Sequence, residues 1–304
     1  MNVLTGFSFD NHIAHGAFVE LSDGVDELLN HRDYNGDVRN LIGEAMAAMP
    51  LLATHLSFDG RINLQFQGDG GRGVRSAHRA HAPDAPHMQL LVAQIDHHLN
   101  VRGMAKAPPD LSGSFTDLLY GGVLALMLEP LSDLRIPSQA LVLIQGDSLA
   151  EALEGYFSQS EQLPTLIRLA VDGNRLCGFL LQRMPLEHTR ATEEDWEHLV
   201  TLARTLTREE LLTVNPPMLL RRLFADEPVR IFKPRPVTVT CRCDRAGIST
   251  MLLSLGRDEV DSIVTEQGKV EVTCEFCGRQ YVFTPSDVVT LFAAAGAPPG
   301  QTKH

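Results

Sequence analysis

Four of the five cysteines stand in two short pairs, Cys241-Arg-Cys243 and Cys274-Glu-Phe-Cys277, with thirty residues between them. A C-x-C and a C-x-x-C at this separation read as a four-thiolate metal site. Thiolate is a soft donor and, among common ions, suits zinc, so the expectation is one zinc ion held by Cys241, Cys243, Cys274 and Cys277. Four protein ligands close the tetrahedron and leave no position for a reacting water, which argues against a zinc enzyme. Two roles remain open for the site. One is a structural staple. The other is a thiol switch, because metal-bound sulfurs are already deprotonated and each pair is close enough to form its own disulfide. The C-x-C ring is the tighter of the two and the more readily reduced.

The segments around the cysteines predict a compact knuckle. Val237, Val239 and Thr240 lead into the first pair as a strand, and Val270, Val272 and Thr273 lead into the second. Gly278 permits a turn, and Tyr281-Val-Phe283 returns as a third strand. Ile248 to Gln267 reads as helix broken at Gly256, with Asp258 as N-cap and Gly268 as C-cap. About 50 residues bury too little to fold without a staple. Zinc contributes about 10–16 kcal/mol in modules of this size. Metal occupancy therefore decides whether this segment folds.

The chain has 304 residues, 44% of them hydrophobic, and a formal charge of −12, with a pI near 5.4. That length predicts more than one unit. The acidic balance argues against nucleic acid or an anionic membrane as partner. Around the knuckle, Asp258, Glu259, Asp261, Glu266, Glu271 and Glu275 outnumber Lys269, which argues against a nucleic-acid zinc ribbon. No run of 18 apolar residues exists to span a membrane. The first residues lack a basic stretch before an apolar one, so no secretory signal is expected, and paired metal-type cysteines then fit a reducing cytoplasm.

Before the knuckle, residues 7–21 carry strand-like positions at Phe18, Val19 and Leu21. A helix is predicted over 37–56, starting at Asp37 and kinked or cut at Pro50. Ile62, Leu64 and Phe66 mark a strand ending in Gly68-Asp-Gly70-Gly-Arg-Gly73. That string matches a dinucleotide fingerprint, but no crossover helix follows before Pro83, so it reads as a strand-end turn. His78, His81, His87, His97 and His98 crowd this region without a ligand pattern. Residues 88–95 and 139–145 read as strands, and 147–158 as a helix capped by Asp147 or Ser148. Residues 164–171 and 175–184 form a hairpin around Asp172-Gly-Asn174, with Cys177 a small buried side chain in its second strand.

From Glu187 to Arg230 the composition becomes strongly charged. Thr192 caps a helix with Asp195 three residues on, and Trp196, Leu199, Val200, Ala203 and Leu206 form one apolar stripe. Thr207 to Glu210 opens a second helix, and Leu219, Leu220, Leu223 and Phe224 make a third piece beyond Pro216-Pro217. Helices this charged must dock to stay ordered. Pro234 and Pro236 separate them from the knuckle, and the Ala/Gly/Pro-rich stretch after Leu291 reads as a disordered tail.

Several strings in order resemble the heat-shock protein 33 family: Gly43-Glu-Ala, Leu64-Gln-Phe-Gln-Gly-Asp-Gly70, Tyr156-Phe-Ser-Gln-Ser-Glu-Gln-Leu-Pro-Thr165, Gly178-Phe-Leu-Leu-Gln-Arg-Met-Pro185, Glu209-Glu-Leu-Leu-Thr213 and the cysteine module itself. The resemblance implies an α+β protein: an N-terminal α/β core with β-sheets and packed helices (1–186), a charged helical linker (187–236), a small zinc-binding redox-switch domain (237–290) and a flexible tail (291–304). It implies a cytoplasmic, ATP-independent holdase chaperone, not an enzyme, that is inactive while reduced and zinc-bound. Oxidation would pair Cys241 with Cys243 and Cys274 with Cys277, release zinc, unfold the module and loosen the linker. Partners would be unfolding client proteins and, when oxidised, a second copy of the chain. The stripe Trp196, Leu199, Val200, Ala203 and Leu206 is the expected docking or client face. The nearest alternative is a constitutive chaperone with a purely structural zinc site. Family members often carry two glycines where this chain has Cys177-Gly178.

Overall fold

The computed structural model describes residues 1–55, 59–68, 87–120, 122–131, 136–185 and 192–296. It divides into two compact units, Met1–Thr240 and Cys241–His304.

The first unit runs β1 (Val3–Phe9), β2 (Ala14–Leu21), α1 (Val25–Leu29), α2 (Gly36–Leu52), β3 (Gly60–Gly68), β4 (Leu90–Asp96), β5 (Asn100–Lys106), α3 (Phe115–Leu118), β6 (Gly122–Pro130), β7 (Ser138–Val142), α4 (Leu149–Tyr156), β8 (Thr165–Asp172), β9 (Arg175–Arg183), α5 (Glu193–Arg204), α6 (Arg208–Thr213), α7 (Pro216–Leu223), β10 (Val229–Ile231), β11 (Arg235–Pro236) and β12 (Thr238–Val239). One sheet has the order β10-β1-β2-β9-β8, with β11 also on β1, and a second has the order β12-β5-β4-β3-β6-β7. Residues 7–21, predicted as a single weak stretch, are the end of one strand and all of the next, paired as a hairpin from Val3↔Glu20 to Ser8↔His15.

Helix α2 is buried on nearly every side, from Val38 to Leu52, because it packs against strands of both sheets. Two glycines allow the close approach. A Cβ at Gly43 would come within 2.9 Å of Leu176 Cδ2, and one at Gly103 within 2.6 Å of Met46 Cγ. The helix opens at Gly36 under an Asn35 cap rather than at Asp37, and it continues two residues past Pro50 before ending at Leu52. Pro50 sits in the last turn, where little helix remains to be disrupted.

The other face of the first sheet carries a second core. Phe7 and Phe9 of β1, Phe18 of β2 and Cys177, Phe179 and Leu181 of β9 are buried there against Trp196, Leu199, Val200, Ala203, Leu206, Leu219, Leu220, Leu223 and Phe224. Alternation along β9 therefore sends odd residues to the charged helices and even residues to α2. Thr192 with Asp195, and Thr207 with Glu210, form reciprocal capping boxes at the starts of α5 and α6. Pro216 occupies the first turn of α7, under an Asn215 cap.

In the stretch that leads to the cysteines, two strands, β10 and β11, were not expected, and a third, β12, was expected with another partner. The stretch around Pro234 and Pro236 is stitched to sheet edges: β10 pairs with Phe7–Phe9, β11 with Val3–Leu4 and β12, in parallel, with Asn100–Val101. Proline is tolerated there because an edge strand need not donate on its outer side. Val237–Thr240, predicted as a strand of the knuckle, belongs to the second sheet, with Thr240 N–H bonded to Val101 O at 3.0 Å.

The second unit holds α8 (Arg245–Leu255), α9 (Arg257–Gln267), the antiparallel hairpin β13 (Val270–Thr273) and β14 (Gln280–Phe283), and α10 (Pro285–Gly296). Asp244 caps α8 through Gly247 N–H at 2.6 Å. The cap of α9 is Gly256, at φ 93°, and not Asp258, which lies inside the first turn. Gly268, at φ 75°, closes α9 as predicted. Beyond Leu291 the Ala-rich run continues α10 to Gly296, so the first part of the predicted tail is helical; alanine is the strongest helix former. Residues 297–304 lie outside the described residues.

Candidate metal centre

The four cysteines reach one point from two loops. Cys241 and Cys243 lie between Thr240 and the start of α8. Cys274 and Cys277 lie in the loop of the β13–β14 hairpin, closed by Cys274 N–H to Arg279 O and Gly278 N–H to Cys274 O, both 2.9 Å. Gly278, at φ 69°, takes the left-handed turn that brings the chain back. All four Sγ atoms lie within 4.8 Å of one another. Cys241 and Cys274 approach to 3.6 Å, and Cys243 and Cys277 to 3.4 Å. A tetrahedral zinc with sulfurs at about 2.3 Å would set them about 3.8 Å apart, so the donor set fits that ion in type, number and spacing.

The thiols are not equivalent. Cys241 is pushed up, first by burial, and Cys277 is pushed up to about 12, also first by burial. Burial acts on Cys243 too, but hydrogen bonds from Tyr281 and the other thiols outweigh it and lower its pKa. In the sequence Tyr281 is marked only as a strand residue. Its hydroxyl donates to Cys243 Sγ at 3.2 Å. The available signal was position: strand alternation sends Tyr281 to the same side as Phe283.

Beneath the sulfurs lies a small core of Leu252, Val260, Val270, Tyr281, Phe283 and Val288. Arg245 stacks over the Phe283 ring at 4.1 Å and pairs with Asp287 at 3.3 Å. Among the described residues, the four cysteines are the one group of His, Cys, Asp and Glu side chains close enough to share an ion. His97 and His98 lie ring to ring at 3.9 Å and belong to no such group. His78, His81 and most of the Gly68–Gly73 string lie outside the described residues.

The remaining residues of interest are in the first unit. Trp196, Leu199, Val200, Ala203 and Leu206 are all at most 5% exposed, packed on the aromatic face of the first sheet. Cys177 is 2% exposed on the same face, and burial raises its thiol pKa.

Fold and site define an α+β protein in two units, the smaller containing a cluster of four cysteines that could hold a metal ion. Residues 2–284 match the profile of the family described as Hsp33 protein. The chain is 37% identical over 306 residues to the 33 kDa chaperonin of Pseudomonas paraeruginosa, covering 98% of this chain and 97% of that one. It is 38% identical over 300 residues to the 33 kDa chaperonin of Nitrosococcus oceani, with the same coverage. The fold is similar to the crystal structure of the 33 kDa chaperonin (heat shock protein 33 homolog) of Thermotoga maritima, with a TM-score of 0.78 over 97% of this chain and 99% of that one at 22% identity. The chain belongs to the Hsp33 family. Among the described residues, no helix is long and apolar enough to cross a membrane.

Proposed function

We propose that this protein is a redox-regulated, ATP-independent holdase of the cytoplasm. It rests while reduced and holding one zinc ion, and it becomes able to hold unfolding proteins once its four cysteines are oxidised. The observation that carries the reading is the closed tetrad Cys241, Cys243, Cys274 and Cys277, all four sulfurs within 4.8 Å of one another, above a small buried core. The naming of its relatives as chaperonins points the same way.

Zinc, when bound, holds all four sulfurs as thiolates and ties the loop before α8 to the β13–β14 hairpin. Oxidant removes two electrons from each pair, Cys241 with Cys243 and Cys274 with Cys277, and the sulfurs stop being metal ligands. The second unit then loses its staple and unfolds. Cys241 follows Thr240 directly, and Thr240 is bonded to β5, so disorder starts at the last residue of the stitched segment. In this reading residues 1–186 are the holding core and 187–236 the movable linker. Release of α5–α7 uncovers two apolar surfaces at once, the stripe Trp196, Leu199, Val200, Ala203 and Leu206 and the phenylalanine face beneath it. Such surfaces bind unfolded clients and, in the oxidised state, a second copy of the chain. No enzymatic step, nucleic acid or membrane is involved.

The test is suppression of client aggregation with zinc release followed in the same samples, before and after peroxide at mild heat, with the disulfides mapped by mass spectrometry. Holding that appears only after oxidation, in step with zinc release and with pairs inside each motif, supports the reading. Equal holding by the reduced, zinc-loaded protein would reduce the cysteines to a structural staple of a constitutive chaperone.

A further inference from the structure

Tyr281 does more than fill the small core. It lies on β14 opposite Val272 of β13, with its ring among Leu252, Val260, Val270 and Phe283. A phenylalanine would fill that space equally well. The hydroxyl reaches out of the core and donates to Cys243 Sγ at 3.2 Å. Arg279, exposed two residues earlier, places a positive charge close enough to act on the tyrosine. A cation beside a phenol polarises its O–H and strengthens the bond that the phenol makes onward. The sequence Arg279, Tyr281, Cys243 is therefore a short relay that ends on one sulfur of the tetrad.

We propose that Arg279 and Tyr281 act as positioning residues that shield the Cys243 sulfur from electrophiles and so set the oxidant threshold of the centre. The proposal rests on the redox reading above and deepens it. A sulfur that accepts an O–H bond must give up part of that bond as its lone pair turns to an incoming electrophile, so it reacts more slowly. With peroxide, the Cys243 thiolate attacks one oxygen and the O–O bond breaks. Hydroxide leaves and is protonated to water, and Cys243 becomes a sulfenic acid. The Cys241 thiolate then attacks that sulfur and the S–O bond breaks. A second hydroxide leaves as the disulfide forms, so two electrons pass from the sulfurs to the peroxide. The relay slows the first of these steps.

The test uses the reduced, zinc-loaded full-length protein and limiting iodoacetamide, with alkylation rates of Cys243 and Cys274 read in the same sample by peptide mass spectrometry. Tyr281→Phe should raise the Cys243 rate relative to Cys274 by about three- to tenfold. Arg279→Ala, which leaves the core untouched, should give a smaller rise, and Arg279→Lys should lie near the parent. Loss of zinc to a chelator without oxidant should stay within about twofold, because the ring that packs is retained. An unchanged Cys243 ratio in both Tyr281→Phe and Arg279→Ala overturns the proposal. So does a uniform acceleration at all four cysteines with faster zinc loss, which would make Tyr281 a packing residue only. Failure of peroxide to switch on client holding in the parent protein would instead remove the redox reading, while the alkylation ratio still decides whether the relay shields Cys243.

Discussion

The ring of Phe224, at the end of α7, stands edge-on to Phe9 of β1, with centroids 5.0 Å apart and planes at 85°. Edge-to-face rings at this distance place the positive rim of one against the negative face of the other. Phe7, Phe18 and Phe179 extend the contact, with Phe18 and Phe179 4.9 Å apart and Phe7 stacked on Phe179 at 6.0 Å. The α5–α7 segment thus ends in an aromatic latch on the first sheet. Phe224→Ala should cost about 3–5 kcal/mol of docking, the usual loss for a buried ring. Hydrogen exchange should show residues 193–223 losing protection while α2 keeps its own. Unchanged exchange in α5–α7 would mean that the latch does not hold them.

Metal removal should act on one unit. Among the described residues, six side chains around Val260 and Phe283 form the second unit's buried core, whereas α2 alone buries twelve residues. A chelator added under reducing conditions should abolish exchange protection in α8 and α9 and leave the two sheets of the first unit protected. Survival of α8 and α9 without metal would show that the small core suffices.

Glu44 gives the fold a pH dependence. Burial on α2 raises its carboxyl to about 7, against the smaller downward pull of the Arg208 charge. The folded state therefore keeps a proton that the unfolded chain releases. This stabilisation is complete below the ordinary value of 4.5 and is lost as pH rises toward 7. The gap corresponds to about 3 kcal/mol. Denaturant melts should show stability falling across that window, and Glu44→Gln should flatten the profile. A profile that keeps its slope in the variant would assign the effect elsewhere.

Gly103 tests how tightly α2 is held between the sheets. Its missing Cβ would sit 2.6 Å from Met46 Cγ, so Gly103→Val must displace the helix or strain its side chains. The expected cost is about 1–3 kcal/mol in denaturant unfolding. A neutral substitution would show that Met46 yields freely.

Cys177 should be a bystander. It is buried in β9, pairs in register with Glu20 and Ala170, and lies outside the tetrad. Cys177→Ser should cost about 1–3 kcal/mol for burying a hydroxyl and leave zinc release and oxidative activation at parent values. Slower activation would give the fifth thiol a place in the chemistry.

Much of this was legible in the chain because the signals are short-range. The Asp172-Gly-Asn174 hairpin closes through Asp172↔Arg175, and the Thr192–Asp195 and Thr207–Glu210 boxes cap helices where their spacing places them. What stayed hidden depended on partners far away in sequence. β10 and β11 are three- and two-residue strands that exist because β1 offers an open edge more than 200 residues earlier. No local pattern announces them. Asp258 failed as a cap because Gly256 had already ended one helix and begun the next.

By itself the sequence determined the four sulfurs, their paired spacing and hence the soft, closed donor set. It also determined the periodic stripes of α2 and α5 and the caps that start the linker helices, because each is written within a few residues of backbone. Tertiary structure decided which surface the Trp196–Leu206 stripe covers, that Cys177 shares that surface, and that Tyr281 rather than any other hydroxyl meets Cys243. Those outcomes follow from strand order and register, which bring together side chains separated by tens to hundreds of residues. Burial then fixes which face of each strand a neighbour meets, since a shift of one residue would turn every side chain to the other side.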